Sequence, residues 1–423
     1  MTNKVVITGA GIVSAIGQTL DDFTAGLRAG RSGIAVHRED GPTGPVLMAE
    51  LRDFSFKDAL AASLPDAAAA LRAKTFTTLR RSPWAIQAAA VAACEAWRQA
   101  GLDEAAPPAE SIGLVVAGHN LGQNYQHAAA LKHAARPAHV NPSYALHFMD
   151  SDALGSISEA LGIRGEGCVA GGASASGNVA LIQGLRLVRF GLVDCCLVVG
   201  VPADLSPVEL QGFMNLGAMR SGPVPAAGPA TACRPFDAGR AGFVPGQAAA
   251  CLVLESEASA RQRGAAILAE LAGGAIALDA NRLSNPSAEG ESRSMAKALA
   301  DAGLAPGDID YLNTHGTASP LGDETELQAI RATFGEQAGR VWINATKALT
   351  GHCLWSAGLV EAVATVQQMR QGFVHPNPNL AEPVAAGFRF AGRRAEAAEI
   401  RAALSNSFGF GGINSSIVIR KQT

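Results

Sequence analysis

The chain has 423 residues, 48% of them apolar and 17% charged, and a formal net charge of −3. That is enough for two domains or one duplicated unit around a large core, and the mixed charge excludes the basic stripe of a nucleic-acid binder. The seven cysteines show no CxxC or Cys/His ligand spacing, so neither zinc nor a disulfide framework is expected. With no secretory leader pattern and no apolar run of about 18 residues, the expected setting is cytoplasmic and away from the membrane.

Val5 to Thr8 reads as a short buried strand leading into Gly9-Ala10-Gly11-Ile12-Val13-Ser14, and the spacing predicts a helix from about Asp21 to Ala29. Gly9-x-Gly11-x-x-Ser14 lacks the third glycine of a dinucleotide fingerprint and its acidic partner about 20 residues on, so tight strand-to-helix packing is the better account. Residues 40–66, punctuated by Pro, Gly and Asp, read as surface excursions. A long Ala-rich helix is predicted over Trp84 to Ala100, and a buried strand over Ile112 to Ala117. Between Gly118 and Asp152 fall His119, His127, His133, His139 and His147, together with Tyr125, Tyr144 and Phe148. No two of these histidines stand three or four apart, so the segment reads as pocket lining or subunit contact rather than a metal site.

A strand through Cys168-Val169-Ala170 then breaks into Gly171-Gly172-Ala173-Ser174-Ala175-Ser176-Gly177-Asn178. An amphipathic helix follows through Val179, Ile182, Leu185 and Val188, stopping at Gly191. Small residues at the junction permit a sharp turn that presents one side chain and its N–H at a helix N-terminus, where anionic character is stabilised. Asp194 to Gly200 is a further strand, Cys233 to Gln247 a loop, and Ala250 to Glu255 a strand. The pattern then starts over. Strands are predicted at Ile267–Leu271, Ile309–Asn313 and Val341–Asn344, and helices at Ser294–Ala302, Glu324–Thr333 and Ala357–Gln371. Two α/β halves are expected, residues 1–260 and 261–423.

Three stretches of the second half carry candidate chemistry, each at the C-terminal end of a predicted strand, where α/β sheets bind ligands. They are Asn313-Thr314-His315-Gly316 through Asp323 to Glu326, Lys347 to His352, and Ser405 to Asn414 with its glycine-rich turn. Two neutral imidazoles from separate strand ends can donate N–H bonds to a developing enolate oxygen, and a glycine-rich turn adds backbone donors.

On these residues the chain resembles the β-ketoacyl-acyl-carrier-protein synthases of the thiolase superfamily almost end to end. Val5 to Gly17 is similar to that family's first strand and turn, and Arg234-Pro235-Phe236-Asp237 to its loop before the half boundary. The resemblance implies a thiolase-like, duplicated five-layer α/β/α/β/α fold, a homodimer, and substrates carried on the phosphopantetheine of an acyl carrier protein, with no further cofactor and no metal. It implies His315 and His352 as the catalytic pair, with Lys347, Glu326 and Asp323 supporting them and Phe410 as a gate. The N–H groups of Ser174 and Phe410 would form the oxyanion hole.

One departure bears on function. The family's turn reads Thr-Ala-Cys-x-Ser-Gly, whereas this chain has Gly172-Ala173-Ser174-Ala175-Ser176-Gly177. A serine hydroxyl is far less acidic than a thiol, so acyl loading and condensation should be impaired. Decarboxylation needs no nucleophile; it needs a polarised thioester carbonyl and a stabilised enolate. Cys168 lies inside a strand and Cys353 directly follows His352, so neither is expected to replace the lost thiol. The Ser174 pattern resembles the decarboxylating ketosynthase-like proteins of polyketide β-branching cassettes. These turn malonyl- into acetyl-acyl-carrier-protein for a hydroxymethylglutaryl-synthase-like enzyme. The sequence leaves two alternatives open, a condensing synthase whose cysteine was mutated and a non-catalytic ketosynthase-like partner subunit.

Overall fold

A computed structural model describes residues 2–39 and 44–422. Eleven of its strands form one continuous sheet, numbered in chain order: β1 (Val5–Ser14), β2 (Ile112–Ala117), β3 (Gly167–Ala170), β4 (Cys195–Gly200), β5 (Ala248–Ser256), β6 (Ala269–Leu278), β7 (Tyr311–Asn313), β8 (Trp342–Asn344), β9 (Arg389–Phe390), β10 (Ala402–Gly409) and β11 (Ile413–Arg420); the four short strands left over pair in two small sheets. The spatial order is β9-β8-β7-β10-β11-β6-β1-β5-β4-β2-β3. From the β3 edge inward, the pairings run parallel, parallel, antiparallel, antiparallel to β1. The run from β8 inward to β6 repeats that series. The two sets meet at a narrow seam, Val6 against Glu270 and Ile7 against Ala269.

Beyond the seam, the free N–H groups of β1 find side-chain acceptors. The helices that matter are α1 (Leu20–Ala29), α2 (Trp84–Gln99), α3 (Ser176–Arg189), α4 (Ala288–Ala302), α5 (Pro320–Phe334) and α6 (Ala357–Gln371). Ala10 N–H donates to Gln99 Oε1 and Ile12 N–H to Glu95 Oε2, both acceptors standing on α2. The other Glu95 oxygen receives Leu20 N–H at the start of α1. Gly9 and Gly11 let this helix approach: a Cβ on either would lie 2.1 Å from a carbonyl oxygen of α2, that of Ala96 or of Ala92. The packing reading of Gly9-x-Gly11 therefore holds. The strand, however, continues straight through both glycines to Ser14 instead of turning there.

The period-2 alternation of strand side chains builds the layers. Leu114, Val116, Leu197, Val199, Cys251 and Val253 face one side and pack with α2. Val115, Ala117, Cys196, Val198, Leu252 and Leu254 face the other and meet α3 and α6. Those same two buried helices also receive Ala403, Ile417 and Ile419 from the second strand set. That set's other face, with Leu404 and Val418, packs on α4 and α5. Outer helices, sheet, central helices, sheet and outer helices are the five layers.

Several boundaries differ from the pattern in the sequence. Within residues 40–66, Val46–Ala49 is a fully buried strand and Phe56–Ser63 a helix capped by the Ser55 hydroxyl, so much of this stretch is core rather than surface excursion. Residues 40–43 of it lie outside the described residues. α4 starts at Ala288, ahead of the apolar run, because the Ser287 hydroxyl accepts Gly290 N–H with Glu289 and Glu291 in the first turn. α5 starts at Pro320 for a related reason, proline being favourable in a first turn.

Candidate active site

Ser174 sits in a single 3₁₀ turn, Ala173–Ala175, directly before α3. The turn is sharp because Ala173 adopts a left-handed φ of 49°. It is held by Gly172 N–H to Ser176 Oγ (2.8 Å), Ser176 Oγ–H to Ala173 O (2.7 Å) and Ser407 Oγ–H to Ser174 O (3.1 Å). The β10–β11 hairpin lies against it. A Cβ on Gly409 would come within 2.5 Å of Gly172 O and 3.2 Å of Ala173 Cβ, so only glycine lets the hairpin approach the turn this closely, and the next residue, Phe410, lines the same cavity as Ser174. Phe410 is 40% exposed, with its ring 6.5 Å from that of Phe213.

His352 leaves a short helical turn, Lys347–Thr350, at Gly351. Its backbone is clamped to the loop before β5, His352 N–H donating to Val244 O (2.7 Å) and Gly246 N–H to His352 O (2.9 Å). Leu354 takes φ 50°, and its N–H donates to His352 Nδ1 at 3.1 Å. An Nδ1 that accepts carries no proton, so the neutral ring bears its hydrogen on Nε2. Nε2 stands 2.9 Å from Ser174 Oγ, so this contact is an imidazole N–H donated to the hydroxyl oxygen. His352 in this state cannot accept a proton from Ser174.

His315 follows β7. Its backbone N–H and that of Gly316 both donate to Glu326, at 2.8 Å each, and Asn406 Nδ2 adds a third donor to the carboxylate. Asp323 receives Phe236 N–H (2.6 Å) and Ala318 N–H (3.1 Å), tying the Arg234–Asp237 loop to the His315 loop. Glu326 and Asp323 thus shape the backbone around His315 rather than touch its ring. Lys347 Nζ donates to His315 O at 2.6 Å and to the buried carboxylate of Glu361 on α6. The two imidazoles meet edge to face, 5.6 Å between centroids and 85° between planes. Burial, then the Lys347 charge, hold both well below the usual histidine range, with His352 adding to the effect on His315. The pair is therefore neutral, each ring offering one N–H.

Glu361, the buried partner of Lys347, is a neighbour of the site that the motifs did not point to. Its signal was available: it is the lone acid in the otherwise uncharged run Ala357 to Gln368. Strain, by contrast, is invisible in sequence. Ala173, Ala318 and Leu354 all carry positive φ, one in each of the loops that carry Ser174, His315 and His352, at a cost on the order of 1 kcal/mol apiece.

A cavity of about 470 Å³ connects these groups, lined by Ser174, His315, His352, Phe408 and Phe410 among others. His119 and Gln123 line it too, so the start of the His-rich segment is pocket lining. His133 and His139 are exposed, and His147 bonds Asp152 at 2.7 Å. Among the described residues no cluster of three or more His, Cys, Asp or Glu is arranged to hold a metal ion. Neither Cys168 nor Cys353 lines the cavity. Burial pushes the Cys353 thiol up to about 12, and burial with Glu166 nearby raises that of Cys168.

Sequence comparison agrees with this architecture. The family described as "Beta-ketoacyl synthase, N-terminal domain" matches residues 2–260, and its C-terminal counterpart matches 268–381. The chain belongs to the β-ketoacyl synthase family. This family member is 39% identical to the polyketide biosynthesis malonyl-ACP decarboxylase PksF of Bacillus subtilis, over 99% of this chain and 96% of that one. It is 32% identical to 3-oxoacyl-[acyl-carrier-protein] synthase 2 of Coxiella burnetii, over 99% and 98%. Its fold matches a type II polyketide ketosynthase solved in complex with its acyl-carrier protein, with a TM-score of 0.86, 26% identity and full coverage of both chains. It is an enzyme of the ketosynthase family with the thiolase-like fold. Among the described residues no helix is long and apolar enough to cross a membrane.

Proposed function

We propose that this enzyme converts malonyl-acyl-carrier-protein to acetyl-acyl-carrier-protein, releasing carbon dioxide without condensation. The observation that carries the reading is the direction of the Ser174–His352 contact. The imidazole donates from Nε2 because Leu354 N–H occupies Nδ1. Ser174 therefore has no base to activate it, while the N–H that faces it is free to turn to a substrate oxygen.

In the reaction, the thioester oxygen sits between His315 and His352, with the N–H groups of Ser174 and Phe410 as the oxyanion hole. As the C–C bond to the carboxylate breaks, its electron pair enters the thioester as an enolate. Neutral N–H donors stabilise that charge without protonating the substrate beforehand. Burial, with the Lys347 charge added, keeps both rings neutral, and Lys347 fixes the His315 loop through its carbonyl. The enolate, with no acyl-enzyme to attack, takes a proton.

The substrate is delivered on the phosphopantetheine of an acyl carrier protein, and the product supplies a hydroxymethylglutaryl-synthase-like enzyme in polyketide β-branching. The Bacillus relative, a malonyl-ACP decarboxylase of polyketide biosynthesis, supports the polyketide setting. The chain works as a homodimer of two-half subunits. In support, β3 is the outermost strand of the sheet and Leu131, Leu146, Phe148 and Met149 form exposed apolar surface nearby in sequence. The retained histidine pair argues against a non-catalytic subunit, and the absence of half-buried Cys168 and buried Cys353 from the cavity lining argues against a substitute nucleophile. Mass spectrometry of malonyl-loaded carrier protein after incubation tests the function. Acetyl-carrier-protein is expected; acetoacetyl product as the main species would refute it.

A further inference from the structure

The reaction leaves one requirement that the histidine pair does not meet. After carbon dioxide departs, the enolate carbon must receive a proton, and a neutral imidazole N–H is a very weak acid. Glu291 lines the same cavity as Ser174, His315 and His352. It stands in the first turn of α4, is 1% exposed, and its Oε2 is buried without a hydrogen-bond partner. Its position is tightly set. A Cβ on the preceding Gly290 would lie 1.7 Å from Asp279 Oδ1 and 2.6 Å from Asn414 Nδ2, so the start of α4 is wedged onto the end of β6 and the hairpin strand β11.

We infer that Glu291 is the acid that protonates the enolate carbon, an assignment that rests on the decarboxylation reading above. The C2–carboxylate bond breaks and its electron pair forms the enolate. The enolate collapses to form a C2–H bond with the proton of the Glu291 carboxyl, whose O–H electrons stay on the carboxylate. Water at the cavity mouth reprotonates it. Burial, and then the carboxyls of Glu326, Asp279 and Asp323, push Glu291 well above the ordinary carboxylate range, so it enters the cycle as the neutral acid. The groups facing it are Glu326 and Asp323 from α5 and Asp279 from the end of β6, the last receiving Asn414 Nδ2 of β11 at 2.8 Å. Arg293 on its own helix is engaged with Asp279 and Glu289. Among the described residues no cation lies within ion-pair distance of Glu291. A neutral Glu291 also spares the incoming malonyl carboxylate a like charge inside the cavity.

The test follows single turnovers of malonyl-carrier-protein by mass spectrometry between about pH 6 and pH 10, with E291Q and E291D beside the parent. The parent rate should fall as pH rises and the acid is lost. E291Q should be at least about tenfold slower at neutral pH and lose that decline, while E291D keeps it. The assignment is overturned by a parent rate that does not fall with pH, by E291Q within about twofold of the parent, or by a slow E291Q that keeps the parent's decline, which would mark a structural loss. A parent that makes no acetyl product refutes the proposed function instead.

Discussion

Replacing Ser174 by alanine separates a decarboxylase from an acyl-enzyme mechanism. The side chain makes one neutral contact, receiving the His352 Nε2 proton at 2.9 Å. Losing such a bond costs about 0.5–1.5 kcal/mol, and about 1.4 kcal/mol corresponds to tenfold in rate, so S174A should fall at most about tenfold. Some of that loss is returned, because the freed N–H needs no longer leave the hydroxyl to reach the thioester oxygen. The backbone N–H of residue 174 and the Ser407 bond to its carbonyl survive the change. The assay is time-resolved mass spectrometry of malonyl- and acetyl-carrier-protein, with intact-mass analysis of the enzyme. Loss of turnover by more than about a thousandfold in S174A, with an ester adduct on the parent, would refute the tautomer argument. S174C should accept acyl groups, since a thiol at a helix N-terminus ionises far more readily.

Removing either imidazole should cost much more: H315A and H352A are each expected to lose about 10²–10³ in turnover, the scale of one preorganised donor, and a loss under tenfold in both would place the enolate elsewhere. Gly409→Ala pushes the hairpin off the Ser174 turn, and a displacement of about 1 Å should lower turnover roughly 10²-fold; turnover within a few-fold of the parent would show that the close approach is dispensable. Because His315 and His352 are held neutral, the parent rate should show no acid limb centred near about 6.5; such a limb would contradict their burial. Stability should follow the buried carboxyls. Glu95, Asp323 and Glu361 are each pushed up to about 7, so the folded state binds protons that the unfolded chain releases, and that contribution is lost as pH rises through about 7. The histidines work in the opposite sense, but only as the unfolded chain charges below about 6.5. Calorimetry should therefore find a higher Tm near pH 6.5 than at pH 8, and the reverse order would refute this assignment.

The sequence by itself carried the fold class, since alternating buried strands and amphipathic helices, repeated twice, admit few arrangements. Apolar periodicity is local, and so α1, α2, α3 and α6 were legible almost to the residue. Capping was legible but weaker, which is why α4 and α5 begin earlier than their apolar runs. The sequence also pointed to the candidate groups that the fold brings to one site, His315, Lys347 and His352, and to a serine in place of a thiol at Ser174. Tertiary structure decided everything that depends on direction. No spacing in the sequence could say which His352 nitrogen carries the proton, because that is set by Leu354 N–H in a left-handed residue. Nor could it pair Lys347 with Glu361, or place Glu326 and Asp323 under the backbone of the His315 loop instead of against the ring. Those contacts join residues brought together by burial between the two strand sets, where an unpaired polar group is too costly to leave alone and geometry selects the partner.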